Sequence, residues 1–282
     1  MPDLDLRPLS LGEILDRTFT IYRRNFLLFI GIIAIPQLMV LAFNLAQTFV
    51  KGTGSSKIAN SLTITTGALL VILGIAGLVV YFVAYLFAHG GTVYAVSDLY
   101  LGRTTSIGAS LRRMRGQAGT LLGVSLLNGL ATFAGLILLI FPGIYIACRL
   151  ATCIPAALLE NLGPAESLER SFTLTKDNAG RSFVIYLLYL SILYGSLLLF
   201  AFPFLIAIGL SAKNPGMMKM WMAFSQFGTS LATVLVTPIF TIATTVFYYD
   251  LRVRKEAFDL QIMMNPNEAV APAPSALPSM LS

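Results

Sequence analysis

Charge is scarce in this sequence: Asp, Glu, Lys and Arg make up 11% of its 282 residues, against about a quarter in an average soluble domain. A water-soluble chain of this length needs far more polar surface to cover itself. Histidine is scarcer still, with His89 alone. No His/Asp/Glu cluster with metal-ligand spacing can be built from it, and neither a glycine-rich phosphate loop nor a nucleophile elbow is present. Enzyme chemistry has little to stand on. Cysteine is limited to Cys148 and Cys153, whose five-residue spacing puts them on different faces of a helix. That spacing fits no zinc or redox pattern and reads as two buried, inert thiols. No cofactor, metal or catalytic residue is expected.

What the chain does have is apolar: 56% hydrophobic residues and a mean hydropathy of +0.80. Lipid is the solvent that tolerates such a composition. The net charge is +6, but the cations sit beside apolar runs rather than in a separate basic domain. Anionic lipid headgroups are therefore the expected partners, and nucleic acid is not.

Apolar stretches long enough for a hydrocarbon core of about 30 Å occur at about Phe26–Phe49, Ile64–Ala88, Ala118–Phe141, Gly143–Leu159, Phe183–Leu210 and Phe224–Tyr249. The first is too long and too deep for a cleaved signal peptide, so the N-terminus is expected to stay. Phe141-Pro142-Gly143 supplies a tight turn between the third and fourth stretches. Fourteen Lys and Arg residues fall on one side of this arrangement and only Lys51, Lys57, Lys213 and Lys219 on the other, which places both termini in the cytoplasm.

A repeat underlies the spans. Glu13–Asn25 (EILDRTFTIYRRN) and Glu166–Asn178 (ESLERSFTLTKDN) match at six of thirteen positions, and Ala109-Ser110-Leu111-Arg112-Arg113 is a weaker third copy. Each copy precedes a pair of spans, so the units run parallel. Ser10-Leu11-Gly12-Glu13 is a capping box. Gly163-Pro164-Ala165-Glu166 opens the third of the short helices, with Pro164 in its first turn. The predicted architecture is all-α: a polytopic membrane protein of about six transmembrane helices in three hairpins, each preceded by a short amphipathic cytoplasmic helix. Residues 1–25 form the N-terminal segment and 26–263 the membrane domain, with interfacial helices near 104–116 and 164–178. The Pro/Ala-rich stretch 264–282 reads as a disordered tail, and Lys51–Lys57 as a flexible outer loop.

Arg149, inside the fourth span, is the outstanding polar residue, since a charge there costs about 2.5–3.5 kcal/mol. It sits about 9 Å along the helix from Gly143, towards the outer side. One reading makes it a contact for an anionic ligand or a lipid phosphate. The other has it snorkel to headgroups or bond carbonyls freed near Pro155 or Pro203. Gln37, Asn44 and Gln47 form a stripe on the first span, Asn128 lies within the third, and Thr233, Thr237, Thr241 and Thr244 recur along the last. These residues either line a polar path or bond between helices. Arg17, Arg23, Arg24, Arg112, Arg113 and Arg170 mark the basic faces of the short helices. His89, followed by Gly90-Gly91, reads as an interfacial residue at a helix end. Met217 to Met222, around Trp221, read as an interfacial anchor rather than a copper site.

Leu6-Arg-Pro-Leu-Ser-Leu-Gly-Glu-Ile-Leu-Asp-Arg17, Phe141-Pro-Gly-Ile-Tyr145 with Arg149, Gly163-Pro-Ala-Glu-Ser-Leu168 and Tyr248-Tyr-Asp-Leu-Arg-Val-Arg-Lys-Glu256 resemble the bacterial glycerophosphoryl diester phosphodiesterase membrane-domain family. The likeness runs to about Met263. It implies a bacterial inner-membrane location and a lipid context. In that family the membrane region can precede a soluble metal-dependent phosphodiesterase barrel; here only a short tail follows Tyr249, and one histidine cannot supply the paired histidines of such a site. A non-enzymatic anchoring, scaffolding or regulatory component follows, with a protein partner or homo-oligomer left open. The alternative is a transporter or lipid translocator for an anionic or amphiphilic substrate that uses Arg149.

Overall fold

The computed structural model describes residues 7–52, 64–211 and 213–256, and side chains outside 46–73. The expected outer loop from residue 53, the 264–282 tail and the side chain of Gln47 lie outside the described residues. Every regular element among the described residues is helical. In chain order these are α1 (Leu11–Arg24), α2 (Phe26–Gly52), α3 (Ile64–Tyr100), α4 (Ile107–Arg113) with a 3-10 turn at Met114–Gly116, α5 (Ala118–Leu138), α6 (Ile140–Arg149), α7 (Cys153–Glu160), α8 (Pro164–Leu174), α9 (Ala179–Leu210) and α10 (Pro215–Glu256). Among the described residues six stretches are long and apolar enough to cross a membrane, with α6 and α7 together forming one of them, Ile140–Glu160.

The helix starts follow from local chemistry. The Ser10 hydroxyl accepts the Glu13 N–H and the Glu13 carboxylate accepts the Ser10 N–H at 2.6 Å, which opens α1. At α8 a glycine stands at the cap, so only half of that exchange exists: the Gly163 N–H donates to Glu166 at 3.0 Å, and Pro164 follows where no donor is needed. Ser106 caps α4 through the Ala109 N–H.

Helix α10 is the axis. Of its apolar window 67% is buried inside the chain, against 6% for α9, so α9 turns most of its surface outward. α10 packs against α9 along its length and against α1, α2 and α3 as well. Residues from Thr241 to Leu251 are all buried. The bundle's largest core cluster gathers there, with Ile14, Phe29, Ile32, Phe247 and Tyr248.

Two expectations about the spans are corrected. His89-Gly90-Gly91 ends no helix: α3 runs through it to Tyr100. The glycines are there because α4 lies across them, and a Cβ at Gly91 would come within 2.9 Å of Leu111 Cδ2 while one at Gly90 would collide with Met114. The fourth span is not one helix but two, broken at 150–152. Pro155 removes the donor that would serve the Ala151 carbonyl, and the Arg149 carbonyl accepts from Ser171 and Thr175 at 2.8 and 2.9 Å. The hairpin between α5 and α6 closes on glycines, since a Cβ on Gly143 would meet the Leu136 nitrogen at 2.7 Å.

Candidate functional site

Charged residues gather where the three short helices meet the ends of α3 and α10. Arg17, Arg113 and Arg170 each stand seven residues after the helix cap, at Ser10, Ser106 and Gly163. Each one reaches a side-chain partner. Arg17 reaches the Tyr100 hydroxyl at 3.3 Å with its guanidinium over the ring. Arg113 lies over Tyr94 and pairs with Asp98 at 3.3 Å. Arg170 joins Glu160 at 2.7 Å and Glu256 at 2.5 Å.

Glu160 is buried, and the Tyr248 hydroxyl donates to it at 2.6 Å. Arg252 bridges to Glu256 at 3.0 Å, so two carboxylates face two guanidiniums around one tyrosine. Burial alone would lower the Arg170 pKa, but its hydrogen bonds to Glu256 and Glu160 raise it, so the cation is held. A second knot lies beside it. The Asp250 side chain has no exposed surface, and it pairs with Arg181 at 2.7 Å and Arg254 at 3.0 Å. It also accepts the Leu9 N–H at 2.7 Å, and the Leu9 carbonyl accepts from Arg181 at 2.6 Å and from Arg254. The segment before α1, the last turns of α10 and the start of α9 are thereby tied together. A buried carboxylate is tolerated only under such pairing.

Arg149 bridges α6 to the end of α8. Its three nitrogens donate to the Phe172 carbonyl at 2.6 Å, the Tyr145 hydroxyl at 2.9 Å and Thr175 Oγ1 at 3.2 Å. The guanidinium also lies over the Tyr145 and Phe172 rings. The carbonyl it finds is Phe172's, not one near Pro155 or Pro203.

The other polar candidates are placed as follows. Gln37 donates to Ser230 and Asn44 to Gln226, both at 3.3 Å, so the first-span stripe meets α10. Thr233 returns its hydroxyl to the Thr229 carbonyl at 2.9 Å, and Thr244 to Phe240 at 3.0 Å. Thr241 meets His89 Nδ1 at 3.3 Å, and Thr237 meets Tyr189. Asn128 is half-buried on α5, which packs chiefly against α6, α7 and α8. Cys148 and Cys153 are buried and unbridged, and Phe204 stacks with Trp221 at 6.3 Å between ring centroids. Arg23, Arg24, Arg112 and Arg115 stay exposed and make no ion pair among the described residues.

A family model described as the membrane domain of glycerophosphoryl diester phosphodiesterase matches residues 125–272, over half of the 282-residue chain. The chain belongs to that family. It is an integral, multi-pass membrane protein. The match takes in Glu160, Arg170, Arg181 and Asp250, and begins inside α5, so α1 and α4 lie N-terminal to it. No curated protein and no solved structure matches the chain.

Sequence reasoning passed over Glu160, Tyr248 and Asp250. A signal was there: each acid directly follows an apolar stretch, after Leu159 and Tyr249, and Asp250 has Arg254 one helical turn on.

Proposed function

We propose that this membrane domain is a non-enzymatic, lipid-associated component that anchors, scaffolds or regulates. It sits in a bacterial inner membrane with both termini cytoplasmic, and it presents a basic surface to anionic headgroups. The observation that carries the reading is the sorting of arginines. The buried carboxylates Glu160 and Asp250 are neutralised within the fold, while Arg23, Arg24, Arg112 and Arg115 remain exposed on the helices that enter the bundle. Cations left over beside apolar spans attract anionic lipid, by about 1 kcal/mol each near the surface. The excess of Lys and Arg on that same side supports the orientation. The polar stripes bond between helices or to their own carbonyls, which supports a packed bundle.

Lipid analysis of the protein extracted from its membrane provides the test. Co-purified lipid enriched in anionic species over the source membrane is the expected result, and a composition equal to the source would overturn the reading. Release of glycerol phosphate from glycerophosphodiesters by the pure protein would overturn its non-enzymatic part. A C-terminal reporter active only outside the cytoplasm would reverse the orientation.

A further inference from the structure

A cleft of about 420 Å³ opens between α2, α3 and α4. Its walls are apolar side chains of two spans, among them Ile32, Ile35, Ala84 and Phe87, and its mouth carries Arg112 and Arg115. Among the described residues no carboxylate lines it. The size lies within the usual range for a ligand pocket.

The cleft exists because α4 is docked over the α2–α3 seam. Ile107 Cδ1 lies over Gly31 and Leu111 Cδ2 over Gly91, where an added Cβ would come within 2.5 and 2.9 Å, so these two side chains of α4 use the room that the glycines leave. The run Arg112-Arg113-Met114-Arg115 is divided by this docking. Met114 is buried, and Arg113 turns to Asp98 and the Tyr94 ring. Arg112 and Arg115 are left exposed at the cleft's mouth.

We propose that this cleft is a specific site for an anionic phospholipid, one acyl chain lying against Ile35, Ala84 and Phe87 and the phosphate held by Arg112 and Arg115. The proposal rests on the lipid-associated reading above and names its site. Charge complementarity selects the headgroup: two guanidiniums in a lining without a carboxylate among the described residues favour an anion, and a guanidinium's fork matches phosphate oxygens. The walls select the tail. They belong to membrane-spanning helices, so an acyl chain enters the cleft without leaving the hydrocarbon. A soluble phosphate would leave the apolar wall uncovered.

The test titrates dioleoylphosphatidylglycerol and dioleoylphosphatidylcholine against the detergent-solubilised full chain, with bound lipid counted by native mass spectrometry. The wild type should prefer the anionic phosphatidylglycerol, and the double variant R112Q/R115Q should lose roughly tenfold or more of that affinity. R23Q/R24Q, which removes the same charge from α1, should keep most of it. Ala84→Trp fills the cleft with both arginines intact and should also lower binding. Wild-type affinity in R112Q/R115Q or in Ala84→Trp would overturn the site. If anionic lipid still co-purified with those variants, the broader reading would survive alone; no lipid preference in the wild type would remove both. Glycerol 3-phosphate in excess should leave the lipid bound, and displacement by it would show a headgroup site without a part for the cleft.

Discussion

The backbone N–H of Leu9 donates to the buried carboxylate of Asp250 at 2.7 Å, joining residues 241 positions apart. The same carboxylate holds Arg181 and Arg254, and both arginines also reach the Leu9 carbonyl. The N-terminal segment is thus fastened by a closed set of bonds rather than by apolar contact alone. Asp250→Asn keeps the side chain's shape but leaves two arginines without their counter-charge. Breaking a buried pair of this kind costs about 3–5 kcal/mol. The expected outcome is a lower Tm in detergent together with faster amide exchange across residues 9–24. A drop in Tm with exchange unchanged in α1 would mean that the knot does not fasten the segment.

Glu160 offers a graded test of the neighbouring knot. Tyr248→Phe removes one hydroxyl that donates to a charged acceptor at 2.6 Å, a loss of about 1.5–3 kcal/mol. Glu160→Gln removes the charge that Arg170 faces and should cost more, since Arg170 then keeps only Glu256. Thermal denaturation of the two variants ranks them. Equal losses would show that the ion pair contributes no more than the hydroxyl bond.

The sequence made the spans legible because apolar runs leave a signal that does not depend on what packs against them. Composition alone required helices, and the capping residues at Ser10 and Gly163 marked where two of the short ones begin. What it hid was tertiary. The His89-Gly90-Gly91 triplet looks like a helix end in isolation, and only the docking of Met114 and Leu111 shows why two glycines stand inside α3. The repeat carries an arginine at the fifth position of each copy, Arg17, Arg113 and Arg170, yet it did not give their partners, which differ from one copy to the next. Arg149 was visible as an anomaly within a span. Its partners were not, since a carbonyl and a hydroxyl leave no trace in a search for opposite charge.

The start of α1 should respond to acid. Hydrogen bonds from the Ser10 backbone and hydroxyl, with Arg7 at 2.5 Å, hold the Glu13 carboxyl down at about 2 from an ordinary 4.5. A pKa lower in the folded state contributes stability above the unfolded value, and that contribution is lost as pH falls from about 4.5 towards 2. Helicity of α1, followed by amide exchange between pH 6 and pH 3, should weaken at the lower end in the wild type. Glu13→Gln should be weakened at both ends and show little change between them. An acid response in Glu13→Gln equal to the wild type's would place its origin elsewhere.

Arg149 separates structural support from transport. Its nitrogens bond the Phe172 carbonyl, Thr175 and Tyr145, and the break between α6 and α7 stands beside it. If those bonds are its role, Arg149→Gln should lower Tm, because Phe172 and Thr175 at the end of α8 lose their charged donor, at about 1.5–3 kcal/mol per bond. Arg149→Lys should recover only part of the loss, since an ammonium cannot span three separated acceptors as the planar fork does. In proteoliposomes carrying fluorescent phosphatidylglycerol, neither the wild type nor Arg149→Gln should speed exchange between leaflets. The opposite pattern, with fast exchange in the wild type and its loss in a fully folded Arg149→Gln, would make this arginine part of a lipid path. The anchoring role would then give way to translocation.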